Sequence, residues 1–327
     1  LLSLLAWTGC IREEAPDDTP VNNFETLWRI IDTRYCFHDY KEQEGCLPWN
    51  DAYAKYRPRV HDSMTPAQLF EVLCDMLSEL RDGHVNLYSA SDVGRYWSWH
   101  EDYPANFSDS LQRAYLGTDY RIAGGLYYKI LDDNIGYVYY GSFSSGIGEG
   151  NLDEVMHYLR LCDGLIMDVR DNSGGTLTYA ERLAARFTNE KRLVGYIAHK
   201  TDTGHNDFST PEAEYLEPSN GIRWQKKAVV LTNRSCYSAT NTFVRDMREC
   251  PLVTVMGDRT GGGSGLPFSS ELPNGWSVRF SACPMYDANM QQIEFGIEPD
   301  IHVSLTSEDT SRGKDTMIET ARDFLKR

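Results

Sequence analysis

Apolar residues recur at Phe24, Leu27, Trp28 and Ile31, and again at Leu69, Val72, Leu73, Met76, Leu77 and Leu80. Spacings of three and four lay an apolar stripe along one side of a helix. Thr65 before Pro66 reads as a helix start, with a capping hydroxyl and a proline at the first helical position. Residues 23–82 thus predict a helical N-terminal subdomain that ends at LRDGHVNLYS, where a strand begins. Residues 89–124 are aromatic and polar without a period, and predict loop and short strands. From GLYYKILDDNIGYVYYGSF the pattern becomes strand-like, with one pair joined at Asp133-Asn134. GLIMDVR, KKAVVLTN and LVTVMGD then read as strands, and GNLDEVMHYLRLC, TYAERLAARF and SATNTFVRDMREC as helices. This alternation predicts a layered α/β core over 83–305 that contains parallel strands. Two further runs, 268–272 and 276–280, flank Pro273-Asn274-Gly275, a hairpin signal. Residues 306–327 are expected to close the chain as a helix.

Composition narrows the partners. With 327 residues the chain can bury a sizeable core, and 41% hydrophobic with 24% charged residues is ordinary for a globular protein. A formal net charge of −16 argues against a broad nucleic-acid or anionic-lipid footprint, which needs clustered Lys and Arg. Peptide-like, basic or neutral substrates fit that charge.

The first ten residues, LLSLLAWTGC, form an apolar run ending in small residues and a cysteine. They resemble the tail of a bacterial lipoprotein signal, which implies a lipid on Cys10; a plain cleaved signal or a short buried helix is the alternative. The run is too short to span a bilayer, so a membrane anchor would be the lipid alone. Residues 11–22 are acidic and proline-bearing and read as a tether. Acidic residues directly after Cys10 also resemble the surface-export signal of Bacteroidetes lipoproteins, which implies an exported, envelope-anchored protein. Seven cysteines remain, and in an exported chain Cys36 and Cys46, which bracket a short loop, are the expected disulfide pair. No CxxC or Cys/His cluster is present, so neither a metal nor another cofactor is expected.

Three strand ends run into polar or glycine-rich turns, where α/β folds concentrate chemistry. In GLIMDVRDNSGG, two glycines can present backbone N–H groups to an anion or a developing oxyanion, or simply make a tight turn. In NRSCYSATNTF, Ser238 opens a helix: it can be a nucleophile with the Ala239 N–H beside the attacked carbonyl, or an ordinary N-cap. GDRTGGGSG lacks the GK[ST] ending of a nucleotide-binding loop, and its glycines suit a backbone that passes close to a bound peptide. His84, between Gly83 and a strand, is a candidate base.

LRDGHVNL, GLIMDVRDNSGG, AVVLTNRSCYSAT, VMGDRTGGGSG and FGIEPDIHV occur in the order that resembles the C-terminal-processing and tricorn-core serine peptidases, over residues 23–305. The resemblance implies a crotonase-like α/β core with a helical N-terminal subdomain. It implies a peptide or protein substrate, Ser238 as nucleophile, His84 as base and Glu294 as the acidic member, with Glu298 a rival. It places the oxyanion donors at Gly174, Gly175 and Ala239. Where the processing branch carries its lysine base this chain has Gly263, which turns the expectation to a Ser-His(-Glu) mechanism. Gly83 stands where the tricorn arrangement has a serine, and Asn241 where a glutamate is usual. The interval from His84 to Gly164 leaves no room for an inserted PDZ domain. A surface lipoprotein that binds peptides on this fold, with little catalysis, is the competing expectation.

Overall fold

The structure is a computed structural model and describes residues 17–327; Cys10 and residues 11–16 lie outside the described residues. A seven-stranded sheet runs through the core in the order Ile301–His302, Val253–Gly257, Ala228–Thr232, Gly164–Asp168, Ile135–Tyr139, Leu126–Ile130, Arg121–Ala123. The first five strands are mutually parallel, and the last two add antiparallel at one edge. Helices cover both faces, so the central strands alternate between two apolar layers. Leu165, Met167, Val230 and Val255 pack toward the helices Glu149–Leu159, Leu177–Ala184 and Ala239–Arg248. Ile166, Val229, Leu231 and Met256 pack toward Thr316–Leu325 on the other side. Buried Arg170 clamps that last helix, pairing with Asp168 at 2.7 Å and with Asp315 at 2.9 Å. The Asp315 carboxylate also caps the helix by accepting from the Met317 and Ile318 N–H groups.

The helical subdomain does not close its own core. Phe24, Leu27, Ile31, Leu73 and Met76 share an apolar cluster with Leu87, Val278 and Phe280. Those three belong to a second, four-stranded sheet in the order Pro267–Glu271, Ser277–Ser281, Asn86–Tyr88, Val93–Arg95. The hairpin expected around Pro273-Asn274-Gly275 joins the first two of these strands. The first helix runs Pro20–Arg34, starting three residues before the expected position because Thr19 supplies the cap, its hydroxyl accepting from the Asn22 N–H. A helix at Asp109–Leu116 lies within the stretch expected to be loop and strand.

The expected Cys36–Cys46 disulfide is not formed. All seven described cysteines are free thiols. The intervening segment is the helix His38–Gln43, and the Cys46 sulfur faces the Leu80 carbonyl at 4.0 Å. No described helix is long and apolar enough to cross a membrane.

Candidate active site

Ser238 sits where the strand Ala228–Thr232 hands over to the helix Ala239–Arg248. It occupies the N-cap position, yet its side chain makes no capping hydrogen bond, and its backbone is strained at φ 59°, ψ −122°. A non-glycine residue at positive φ costs on the order of 1–3 kcal/mol and persists only where its surroundings enforce it. Here its N–H donates to the Gly262 carbonyl at 2.9 Å and its own carbonyl accepts from Thr242 N–H at 3.1 Å. The turn aims Oγ away from the helix, 3.0 Å from His84 Nε2. A strained strand-to-helix turn of this kind can present a serine hydroxyl, and it is reached here without a GxSxG sequence.

His84 comes from the other layer, just ahead of the strand Asn86–Tyr88. Its Nδ1 lies 2.9 Å from the Ser264 carbonyl oxygen. A carbonyl only accepts, so Nδ1 carries the proton and Nε2 offers its lone pair to the serine hydroxyl. The His84 backbone N–H is pinned by the Asp82 carboxylate at 2.8 Å, which also accepts from the Tyr35 and Ser281 hydroxyls. Burial pushes the imidazole pKa below its ordinary 6.5; Asp82 works against this, while Arg279 and Lys41 lower it further. The His84 imidazole is therefore neutral at neutral pH, and if it serves as the base, the acid limb of a kcat/KM profile is expected below pH 6.5. A limb centred above that value would contradict the assignment.

Glu294 does not touch His84. One carboxylate oxygen accepts from the Ser264 N–H at 2.8 Å and its hydroxyl at 3.3 Å, while the other receives the Lys41 ammonium at 2.8 Å. Ser264 thus links Glu294 to His84, whereas the resemblance places a serine at the position of Gly83. Lys41 is 1% exposed, donates also to the Arg81 carbonyl, and lies 4.2 Å from the Phe295 ring centre. One buried cation serves two buried carboxylates. Burial, then Asp82, pushes Glu294 up to about 7 against the pull of Lys41, and the same acids hold the Lys41 pKa above normal despite its burial. The rival Glu298 lies away from this cluster, paired with Arg259 at 3.4 Å.

The expected oxyanion residues converge on the same turn. Gly174 lies against Ser238: a Cβ there would fall 2.8 Å from Ser238 Cβ and 2.9 Å from the Ala239 nitrogen, so no larger residue fits. Its N–H is already committed to the Asn172 side chain at 3.0 Å. The N–H groups of Gly175 and Ala239 donate to no acceptor among the described residues, which leaves these two as the usable pair. Asn172, fully buried, also accepts from the Thr240 hydroxyl at 2.8 Å and donates to the Tyr140 carbonyl at 2.8 Å, tying the glycine turn to the start of the helix. Asn241, standing where a glutamate is usual, donates to the Ile293 carbonyl at 2.9 Å and accepts from Thr260 at 2.6 Å, fixing the segment that carries Glu294.

Gly263 explains the missing lysine sterically. A Cβ there would meet the Tyr237 ring at 2.2 Å. Among the described residues no group of three or more His, Cys, Asp or Glu side chains is placed to hold a metal ion.

Two family models match this chain: Peptidase family S41 over residues 134–303, and the tricorn protease C1 domain over 16–78. Among curated proteins, a tricorn-like protease C-terminal subunit of Sulfurisphaera tokodaii is 28% identical over 166 residues, 49% of this chain and 17% of that protein. The carboxy-terminal processing protease CtpA of Bacillus subtilis is 22% identical over 182 residues, 55% of this chain and 37% of that protein. The chain therefore spans well under half the length of these relatives. A crystal structure of a candidate peptidase from Parabacteroides merdae superimposes with TM-score 0.90 at 57% identity, covering 94% of this chain and 97% of that one. Mature CPAF bound to lactacystin shares the fold at TM-score 0.72 and 12% identity, covering 94% and 97%.

Proposed function

The chain belongs to peptidase family S41, and we propose that it is a serine peptidase in which Ser238 attacks a peptide carbonyl with His84 as general base. The observation that carries this is the 3.0 Å contact between Ser238 Oγ and His84 Nε2, made by residues 154 positions apart. In the acylation step His84 Nε2 takes the hydroxyl proton as Oγ adds to the carbonyl carbon, and the Gly175 and Ala239 N–H groups receive the oxyanion. The imidazolium then gives its proton to the leaving amine, the C–N bond breaks and an acyl-enzyme remains. Water, deprotonated by His84, releases the acid and restores Ser238. The Ser264 carbonyl stabilises the imidazolium through the Nδ1–H, and Glu294 holds Ser264 by its N–H. Glu294 thus acts one residue removed from the imidazole, as a positioning group. The substrates proposed are exported or extracellular peptides and proteins. The envelope setting with a lipid on Cys10 rests on LLSLLAWTGC alone.

A serine-directed fluorophosphonate separates this reading from a peptide-binding protein on the same fold. Wild type is expected to be labelled, Ser238→Ala not at all, and His84→Ala far more slowly. Labelling that survives in Ser238→Ala would remove Ser238 from the mechanism.

A further inference from the structure

The cleft that contains Ser238 and His84, about 250 Å³, is also lined by Arg279. Arg279 lies on the strand Ser277–Ser281, directly opposite Asn86. Its neighbours Val278 and Phe280 point into the apolar layer beneath the helices, and successive strand side chains face opposite ways, so Arg279 faces the cleft. Three buried arginines are matched by carboxylates: Arg170 by Asp168 and Asp315, Arg186 by Glu149 and Asp153, Arg245 by Glu214 and Asp246. A fourth, Arg234, donates to the Thr260 and Phe295 carbonyls. The half-buried Arg279 guanidinium has no carboxylate or hydrogen-bond partner among the described residues. In a chain of net charge −16, an unmatched cation beside the nucleophile is conspicuous. A guanidinium fork is also the group best shaped to grip a carboxylate with two parallel hydrogen bonds.

An adjoining cavity has the opposite charge. A second cavity of about 270 Å³ shares Leu177, Thr242 and Met285 with the first and adds Glu181, Glu214 and Asp246, of which Arg245 pairs with the last two. A carboxylate is repelled there and drawn to Arg279.

We propose that Arg279 binds a carboxylate of the substrate chain, so that the cleft selects peptides with a carboxylate close to the bond presented to Ser238. This rests on the peptidase reading of the same cleft. The carboxylate is either the peptide C-terminus or an Asp or Glu side chain, and the experiment tells the two apart.

The test needs no turnover, so it stays separate from the question of catalysis. Ser238→Ala protein is immobilised and exposed to random-sequence hexapeptides, one library with free C-termini and one amidated, and the retained peptides are identified by mass spectrometry. Peptides bearing the selected carboxylate are expected to be retained about tenfold or more over the rest. Preference for the free-acid library assigns the C-terminus; enrichment of Asp or Glu at one position of the amidated library assigns a side chain. Adding Arg279→Gln is expected to erase the preference, and Arg279→Lys, which keeps the charge without the fork, to keep part of it. Retention indifferent to carboxylates, or a preference that survives Arg279→Gln, would overturn the proposal.

Discussion

Ser238→Ala is expected to lower kcat/KM for a cleaved peptide by about 10⁴-fold or more. The base contributes about 10²–10⁴-fold and has nothing to deprotonate once the hydroxyl is gone. Nucleophile and base act as one unit, so their losses do not add: His84→Ala should cost nearly as much as Ser238→Ala, and the double variant little more than either. Oxyanion donors, each worth about 10²–10³-fold, remain in all three variants and account for any residual rate. Steady-state kinetics on the three proteins check this. Multiplicative losses would mean that the two side chains work separately, against the single 3.0 Å contact that joins them.

Lys41→Met is expected to destabilise the fold by about 3–5 kcal/mol, the usual cost of removing one partner of a buried ion pair. The lost ammonium is 1% exposed, and it leaves Glu294 facing Asp82 with no cation between them. The penalty should depend on pH with a definite sign. Glu294 has a folded pKa of about 7, raised from 4.5, so the folded state holds the extra proton between those values. Its ionisation therefore costs stability progressively as pH rises through that window. Without Lys41 the carboxyl is harder still to ionise. The deficit of Lys41→Met should accordingly be small at pH 5, where Glu294 is protonated in both proteins, and large at pH 8. Adding Glu294→Gln should recover much of the loss at pH 8, which a double-mutant cycle in urea would measure. Equal deficits at both pH values would assign the effect to packing of the lysine stem.

The order of motifs along the chain singles out Ser238, His84 and Glu294 as candidates in the sequence, and the alternation of apolar strands and helices makes the central sheet legible there too. Their supports are not legible there. Lys41 meets Glu294 across 253 positions and comes from a helix of six residues whose pattern shows only a charged surface stretch. Asn172 reads as turn chemistry in RDNSGG, and only the folded turn shows its side chain collecting bonds from three segments. The helix Asp109–Leu116 leaves little trace in the pattern because only Leu111, Gln112 and Leu116 are buried on it, too few to establish a period. Cysteine spacing misleads at Cys36 and Cys46, since a ten-residue separation in sequence is silent about a helix between them. Gly83 and Asn241 read as gaps in a known pattern, yet Ser264 links Glu294 to His84 and Asn241 accepts from Thr260.

His84 and Ser238 belong to different layers. Ser238 follows a strand of the seven-stranded sheet, whereas His84 precedes a strand of the smaller sheet that shares its apolar cluster with the N-terminal helices. On the proposed mechanism, a newly made chain would carry an unactivated serine until these two layers have docked. Reactivity toward a serine probe would then also be a gauge of tertiary assembly.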